Sequence, residues 1–281
     1  MPGNYDTKSL IIDSGDFNKV VNKLRTFFIG KGFIEVHTQN RLSILAACED
    51  PYNISTYEYA GQVWPLPQTG QMWLEYELLK NPDPPGYFCV STSYRNEKNP
   101  VPGRHDLIFP MFEFELHGGM EELKKMEIEL LTYLGYKTSS FYYNTYSKLA
   151  EDFMVKELEH NHENKMYEIW GPVGFITDFP EYTSPFWNMK RNGDTANKID
   201  VILSGHETIG SAERETDVDV MRERFNTISD GDYAKTIFDK FGKDRTLAEL
   251  EEFLSYNFIE RSGGGIGITR LIRSMKKEGL I

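Results

Sequence analysis

Gly263-Gly264-Gly265-Ile266-Gly267-Ile268-Thr269-Arg270 sets four glycines against one arginine, just ahead of an apolar stretch with helical spacing. Glycines let the backbone come close to a ligand, and an arginine beside them offers a planar cationic fork. At a loop-to-helix junction such a group suits an anion, and a nucleotide phosphate is the natural candidate. A flexible glycine loop followed by a surface arginine fits the same residues, so the decision rests on partners elsewhere in the chain.

Two further segments supply such partners. An apolar strand at Tyr87 to Val90 leads into Tyr94-Arg95-Asn96-Glu97, a polar loop with Pro100 and Pro102, then Arg104-His105. The chain returns as Phe109-Pro110-Met111-Phe112-Glu113-Phe114-Glu115-Leu116. Strand alternation puts Phe112, Phe114 and Leu116 on a core face, and Phe109, Met111, Glu113 and Glu115 on the other. Carboxylates are costly to bury without partners, so the second face reads as the wall of a polar pocket, with a solvated acidic face as the alternative. In Ile199-Asp200-Val201-Ile202-Leu203 the apolar residues Ile199, Val201 and Leu203 alternate, which turns Asp200 the other way. Glu207 and Arg214 follow after Asp200 at equal seven-residue steps. Two hard oxygen donors on neighbouring strands suit Mg²⁺ shared with substrate phosphates, and the arginine suits a carboxylate. A surface salt-bridge group is the plainer reading of these three residues.

The elements that must position these residues can be outlined. Phe17, Val20, Val21, Leu24, Phe27 and Phe28 fall on one helical stripe between Asp16 and Gly30, with Ser14 or Asp16 as cap and Gly30 and Gly32 as terminators. Phe33 to His37 alternates like a strand. From Tyr57 to Glu207 the chain reads mostly as short strands, with helices at Met120–Leu134 and near Tyr146 to Leu158. After Arg214 it turns helical at Val218, Met221 and Phe225, then at Leu247 to Tyr256. Strands in the middle with helices at both ends predict an α+β fold around a mostly antiparallel sheet. Regular βαβ alternation is missing, which argues against a dinucleotide fingerprint.

Composition narrows the class. The chain has 281 residues, 40% of them hydrophobic and 26% charged, the balance of a globular protein with a sizeable core. No apolar run is long enough for a membrane span, and Met1 to Lys8 lacks a signal-peptide core. Two cysteines, Cys48 and Cys89, fit a reducing cytoplasm better than a disulfide scaffold. A net charge of −12 weighs against a protein whose main task is gripping nucleic acid.

These segments together resemble the class II aminoacyl-tRNA synthetases, aspartate and asparagine subgroup. Arg95-Asn96-Glu97 with Arg104-His105 and Phe109 is similar to their motif 2, Gly263-x-Gly265-x-Gly267-x-x-Arg270 to motif 3, and Lys31 to Val36 to motif 1. Asp200, Glu207 and Arg214 sit at the subgroup's spacing, as do Phe175 to Pro180 and Pro185-Phe186-Trp187. Gly70 to Glu75 and Gly210-Ser211-x-x-Arg214-Glu215 resemble the asparaginyl enzymes more than the aspartyl ones. Gln39, Leu74, Ile108 and Thr269 depart from the family pattern, in which those positions carry proline, the aspartyl enzymes' lysine, glutamate and an acidic residue.

The resemblance implies a class II synthetase-like catalytic domain over 1–281, without an anticodon-binding domain, acting on ATP with Mg²⁺. It assigns Arg95 to the α-phosphate, and Arg270 with Arg104 or His105 to the γ-phosphate. Phe109 would stack on adenine with Arg270 on the other face, Glu97 would accept from the adenine amino group, and Gly265 and Gly267 would cradle the nucleotide. Asp200 and Glu207 would bind Mg²⁺. Arg214 would read the amino acid, in a pocket lined by Gln71, Glu75 and Glu113. The implied enzyme is a cytoplasmic homodimer that activates an Asp/Asn-like amino acid and passes it to ammonia or another small amine, in the manner of asparagine synthetase. A minimal enzyme charging tRNA and a catalytically silent paralog are the alternatives.

Overall fold

The computed structural model describes residues 12–46, 50–101 and 104–281. Met1 to Lys8, Cys48 and Pro102 lie outside the described residues. The elements run α1 (Ser14–Gly30), β1 (Ile34–Glu35), β2 (Thr56–Tyr59), β3 (Gln62–Pro65), α2 (Gln71–Lys80), β4 (Gly86–Tyr94), β5 (Ile108–His117) and α3 (Met120–Leu134). They continue with β6 (Phe141–Thr145), α4 (Tyr146–Asp152), α5 (His160–Trp170), β7 (Val173–Pro180), β8 (Arg191–Asn192), β9 (Thr195–Leu203) and β10 (His206–Glu213). The last are α6 (Val218–Thr227), α7 (Asp232–Phe241), α8 (Lys243–Leu254), β11 (Arg261–Gly267) and α9 (Ile268–Lys277).

Among the described residues one nine-stranded sheet dominates, in the order β1-β4-β5-β11-β10-β9-β7-β6, with β8 on β9. β1 on β4 and β6 on β7 are parallel, and the rest is antiparallel, so the α+β expectation holds. One sheet face is apolar: Phe88, Phe112, Phe114, Phe175, Ile199, Val201, Leu203 and Ile266 pack there against the stripes of α1, α3 and α9. Phe28 of α1 is the hub, with ring centroids 5.0 Å from Phe112 and 5.2 Å from both Phe33 and Phe114. The opposite face carries the polar residues of β5, β9 and β11. Beside it, a second core joins Met72 and Tyr76 of α2 to Met221, Phe225, Ile237, Leu250 and Phe253.

Several boundaries differ from the sequence reading. Asp13 caps α1, its carboxylate accepting from the Asp16 N–H at 3.0 Å, so Ser14 and Asp16 belong to the first turn. The Phe33–His37 strand shortens to Ile34–Glu35. The helix expected through Leu158 stops at Asp152, just before Met154, whose φ of 56° no helix accommodates. Two helices, α2 and α5, stand in the stretch read as mostly strand. Seven residues of α2 are buried, including Glu75, so it shows no polar stripe to give it away.

The glycine run is the main correction. Gly263 to Gly267 form not a loop but the end of β11, paired with β5 on one side, and through Ile266 with β10 on the other. The run is thus built into the sheet ladder, with Gly265 and Gly267 still lining the cavity. What glycine supplies here is space: a Cβ on Gly264 would sit 2.7 Å from the Gly210 carbonyl oxygen, and one on Gly265 would reach 2.6 Å from Met111 Cε.

Candidate active site

Register builds the floor of the site. Glu113 lies opposite Gly265, Gly265 opposite Gly210, and Gly210 opposite Asp200. One row across four strands thus has carboxylates at its ends and two glycines between them, which leaves a hollow where side chains would otherwise stand. A cavity of about 720 Å³ opens over this hollow. It is lined by Gln71, Glu75, Arg95, Glu97, Arg104, His105, Phe109, Glu113, Glu207, Arg214, Gly265, Gly267 and Arg270. Of the site residues read from sequence only Asp200 is outside that lining, and it is buried directly beneath it.

At one end stand the cations. β4 and β5 form a hairpin that carries Arg95 at its outgoing edge and Phe109 on its return, and the Arg95 guanidinium lies 5.5 Å from the Phe109 ring centroid. His105 Nδ1 is 2.7 Å from Glu97 Oε2. Arg270, in the first turn of α9, donates to the Glu207 carbonyl at 2.6 Å. Arg104 is paired with Glu163 of α5, whose same carboxylate oxygen accepts from the Glu207 N–H at 2.7 Å. Glu163 therefore ties the β4–β5 loop to β10; the sequence reading missed it along with α5. His206 is held neutral, its pKa pushed down to about 4 by burial and by Arg104 and Arg270.

In the middle are the two candidate metal carboxylates. Measured from an ideal Cβ on Gly210, Glu207 Oε1 is 3.4 Å away and Asp200 Oδ1 3.6 Å away, so the oxygens converge over that glycine. Asp200 Oδ1 is buried with no hydrogen-bond partner among the described residues, while Oδ2 accepts from Lys198 Nζ at 2.8 Å. Burial pushes the Asp200 pKa up to about 7, Lys198 opposing the shift and Glu207 adding to it. An orphaned, buried carboxylate oxygen facing a second carboxylate fits a hard divalent cation. No group of three or more potential protein ligands occurs among the described residues, so such a cation would complete its shell with substrate oxygens and water.

At the other end lies a buried charge cluster. Gln71 and Glu75 sit one turn apart on α2 and face the same way. Gln71 donates to Glu115, and Arg214 meets both Glu115 oxygens at 3.3 Å. Glu75 accepts from Arg261 Nη2 at 2.6 Å and from Asn188 Nδ2 at 2.8 Å, with Arg214 Nε 3.7 Å away. Two arginines thus balance two glutamates, as buried charge demands. Burial raises the Glu115 pKa to about 7, against the pull of Arg214. Glu113 accepts from the Gly70 N–H at 2.7 Å and from the Thr69 and Ser91 hydroxyls, so it fixes the start of α2 while lining the pocket. Leu74, instead, is buried among Leu78, Tyr87 and Cys89. Glu115, Asn188, Arg261 and Lys198 were not assigned from sequence. Glu115 stood on the predicted polar face, and Asn188 and Arg261 adjoin segments already singled out.

Comparison with known proteins follows the same lines. Residues 16–281 match the family described as tRNA synthetases class II (D, K and N). The aspartate–tRNA(Asp/Asn) ligase of Methanopyrus kandleri is 22% identical over 92% of this chain and 63% of its own length. The aspartate–tRNA(Asp) ligase of Pyrobaculum aerophilum is 25% identical over 45% of this chain and 26% of its own. The crystal structure of asparaginyl-tRNA synthetase from Pyrococcus horikoshii complexed with asparaginyl-adenylate superposes with a TM-score of 0.76 at 18% identity, covering 94% of this chain and 64% of that one. The Entamoeba histolytica asparaginyl-tRNA synthetase, also with asparaginyl-adenylate, gives 0.74 at 18%, covering 94% of this chain and 63% of that one. The chain spans less than two thirds of the length of each of these proteins.

Proposed function

Since the chain belongs to the class II tRNA synthetases of the D, K and N group, we propose that it is an ATP-dependent, AMP-forming ligase that activates an aspartate- or asparagine-like amino acid. The observation that carries this reading is the shared hollow: Arg95, Phe109, Glu207, Arg214 and Arg270, drawn from distant stretches, line one cavity.

In this reading adenine stacks on Phe109, and Arg95 moves from that ring to the α-phosphate. Glu97 accepts from the adenine amino group, and Arg270 with Arg104 or His105 holds the γ-phosphate. Asp200 and Glu207 would hold Mg²⁺, which when bound neutralises phosphate charge. Arg214 and the α2 side chains orient the amino acid so that its carboxylate oxygen attacks the α-phosphorus in line. The bond from that phosphorus to the bridging oxygen breaks, and its electron pair leaves with pyrophosphate. Positioning and charge complementarity do this work without a side-chain nucleophile.

For the second step the favoured acceptor is a small amine such as ammonia, whose nitrogen attacks the acyl carbon and expels AMP. The chain's net charge of −12 supports it. Transfer to tRNA is the second reading, favoured by the relatives, which are named as tRNA ligases. A homodimer through α1 and β1 belongs to the same proposal, with Ile29 and Ile34 exposed on those elements. The test is product analysis by mass spectrometry with ATP, aspartate and either labelled ammonia or tRNA. Labelled asparagine with AMP supports the first acceptor, and aminoacyl-tRNA with AMP supports the second. ADP in place of AMP, or no amino-acid-dependent product, overturns the adenylating reading.

A further inference from the structure

Lys198 has no part in the assignments above, yet it is the cation that touches the carboxylate pair directly. It stands two residues before Asp200 on β9, so both side chains leave the same sheet face. Its ammonium lies 2.8 Å from Asp200 Oδ2 and 4.0 Å from the centroid of the Phe179 ring. It lines the cavity, with a side chain 23% exposed. The other oxygen, Asp200 Oδ1, is the orphan that converges with Glu207 Oε1 over Gly210. Among the described residues Arg270 meets Glu207 at its backbone carbonyl, and Arg104 is engaged by Glu163.

We propose that Lys198 is a resident counter-cation of the Asp200–Glu207 pair and a direct contact for nucleotide phosphate, so that this site holds ATP with less help from divalent metal than two bare carboxylates would need. The inference rests on the adenylating reading of the cavity. Two carboxylates side by side make an acidic patch that repels a polyphosphate, and the Lys198 ammonium offsets one unit of that charge. A compact ammonium with three rotatable donors can hold Asp200 and a phosphate oxygen together. Asp200 and Phe179 fix it from two sides. One Asp200 oxygen is thereby occupied and the other left for a metal ion, so ammonium and metal share the carboxylate and each weakens the pull on the other.

The test is binding rather than turnover. Mn²⁺ binding to the nucleotide-free protein is followed by electron paramagnetic resonance, and ATP binding by calorimetry in EDTA and in saturating Mg²⁺. The wild type is compared with Lys198→Met, Lys198→Gln and Lys198→Arg. Removing the charge is expected to tighten Mn²⁺ binding and weaken metal-free ATP binding, each by about tenfold or more, the scale of one neighbouring unit charge at a partly buried site. The loss for ATP narrows in saturating Mg²⁺, and Lys198→Arg keeps wild-type ATP binding in EDTA. Unchanged Mn²⁺ affinity, or an equal loss of ATP with and without metal, overturns the inference while leaving adenylation standing. A wild type that binds no ATP even in Mg²⁺ overturns both. Should the neutral variants unfold, the wild type alone decides: ATP held in EDTA within about a hundredfold of its Mg²⁺ affinity supports the inference, and a wider gap contradicts it.

Discussion

Arg214 meets Glu115 and faces Glu75 at the end of the cavity proposed for the amino acid, far in sequence from Arg95, proposed for phosphate. Arg214→Ala should raise the KM for the amino acid by at least about tenfold, the loss of one charge-assisted bond, and leave the KM for ATP unchanged. A change confined to ATP would show that the residue serves the nucleotide. Glu127 of α3 tests a different residue-scale effect. It is fully buried on the core side of the sheet, accepts from Ser211 Oγ at 2.6 Å, and burial pushes its pKa from 4.5 up to about 8. The folded protein therefore keeps this proton where the unfolded chain has released it. The group's contribution to stability is complete below 4.5 and is lost as pH rises toward about 8, at roughly 1.4 kcal/mol per pH unit between the two values. Glu127→Gln should flatten that fall, so urea titrations at about pH 5.5 and about pH 7.5 should show a smaller difference for the variant than for wild type. An identical slope in both proteins would mean that Glu127 is ionised when folded.

At the scale of elements, β11 separates two uses of glycine on opposite faces of one strand. Gly264 faces the core side, where a Cβ would press on the Gly210 carbonyl oxygen, and Gly264→Ala should cost about 1–3 kcal/mol in denaturant unfolding. Gly265 faces the cavity, where a Cβ meets only the flexible end of Met111 first, so Gly265→Ala should keep the fold and weaken ligand binding. Equal stability losses at both sites would contradict this division. The same strand marks what could be read beforehand. Alternation in β5 and β9 placed Phe112, Phe114 and Leu116 inward and Glu113 and Asp200 outward, because a half-buried strand writes its two faces into the sequence. The glycine run carries no such pattern, so its strand character came only with its neighbours. α2 was invisible for the converse reason: buried nearly all round, it has no polar side to set the period.

At the scale of the whole molecule the cavity is held by contacts that span the chain: Gln71 with Glu115, Glu75 with Arg261, Arg104 with Glu163. The spacing of motifs indicated which side chains meet in the cavity, since each occupies a recognisable stretch. It did not indicate which partners hold them: Glu163, Asn188 and Arg261 reach Arg104 and Glu75 from other elements, and the Lys198 contact to Asp200, though made within β9, carries no motif signal of its own. Among the described residues no helix is long and apolar enough to cross a membrane. The central claim is that phosphate-binding arginines and an amino-acid pocket work on one bound pair of substrates. Amino-acid-dependent exchange of labelled pyrophosphate into ATP measures that claim most directly. We predict exchange with aspartate or asparagine, abolished in Arg95→Ala and Arg270→Ala proteins that melt at the wild-type temperature. Absence of exchange with every proteinogenic amino acid, or its survival in both variants, would contradict the account.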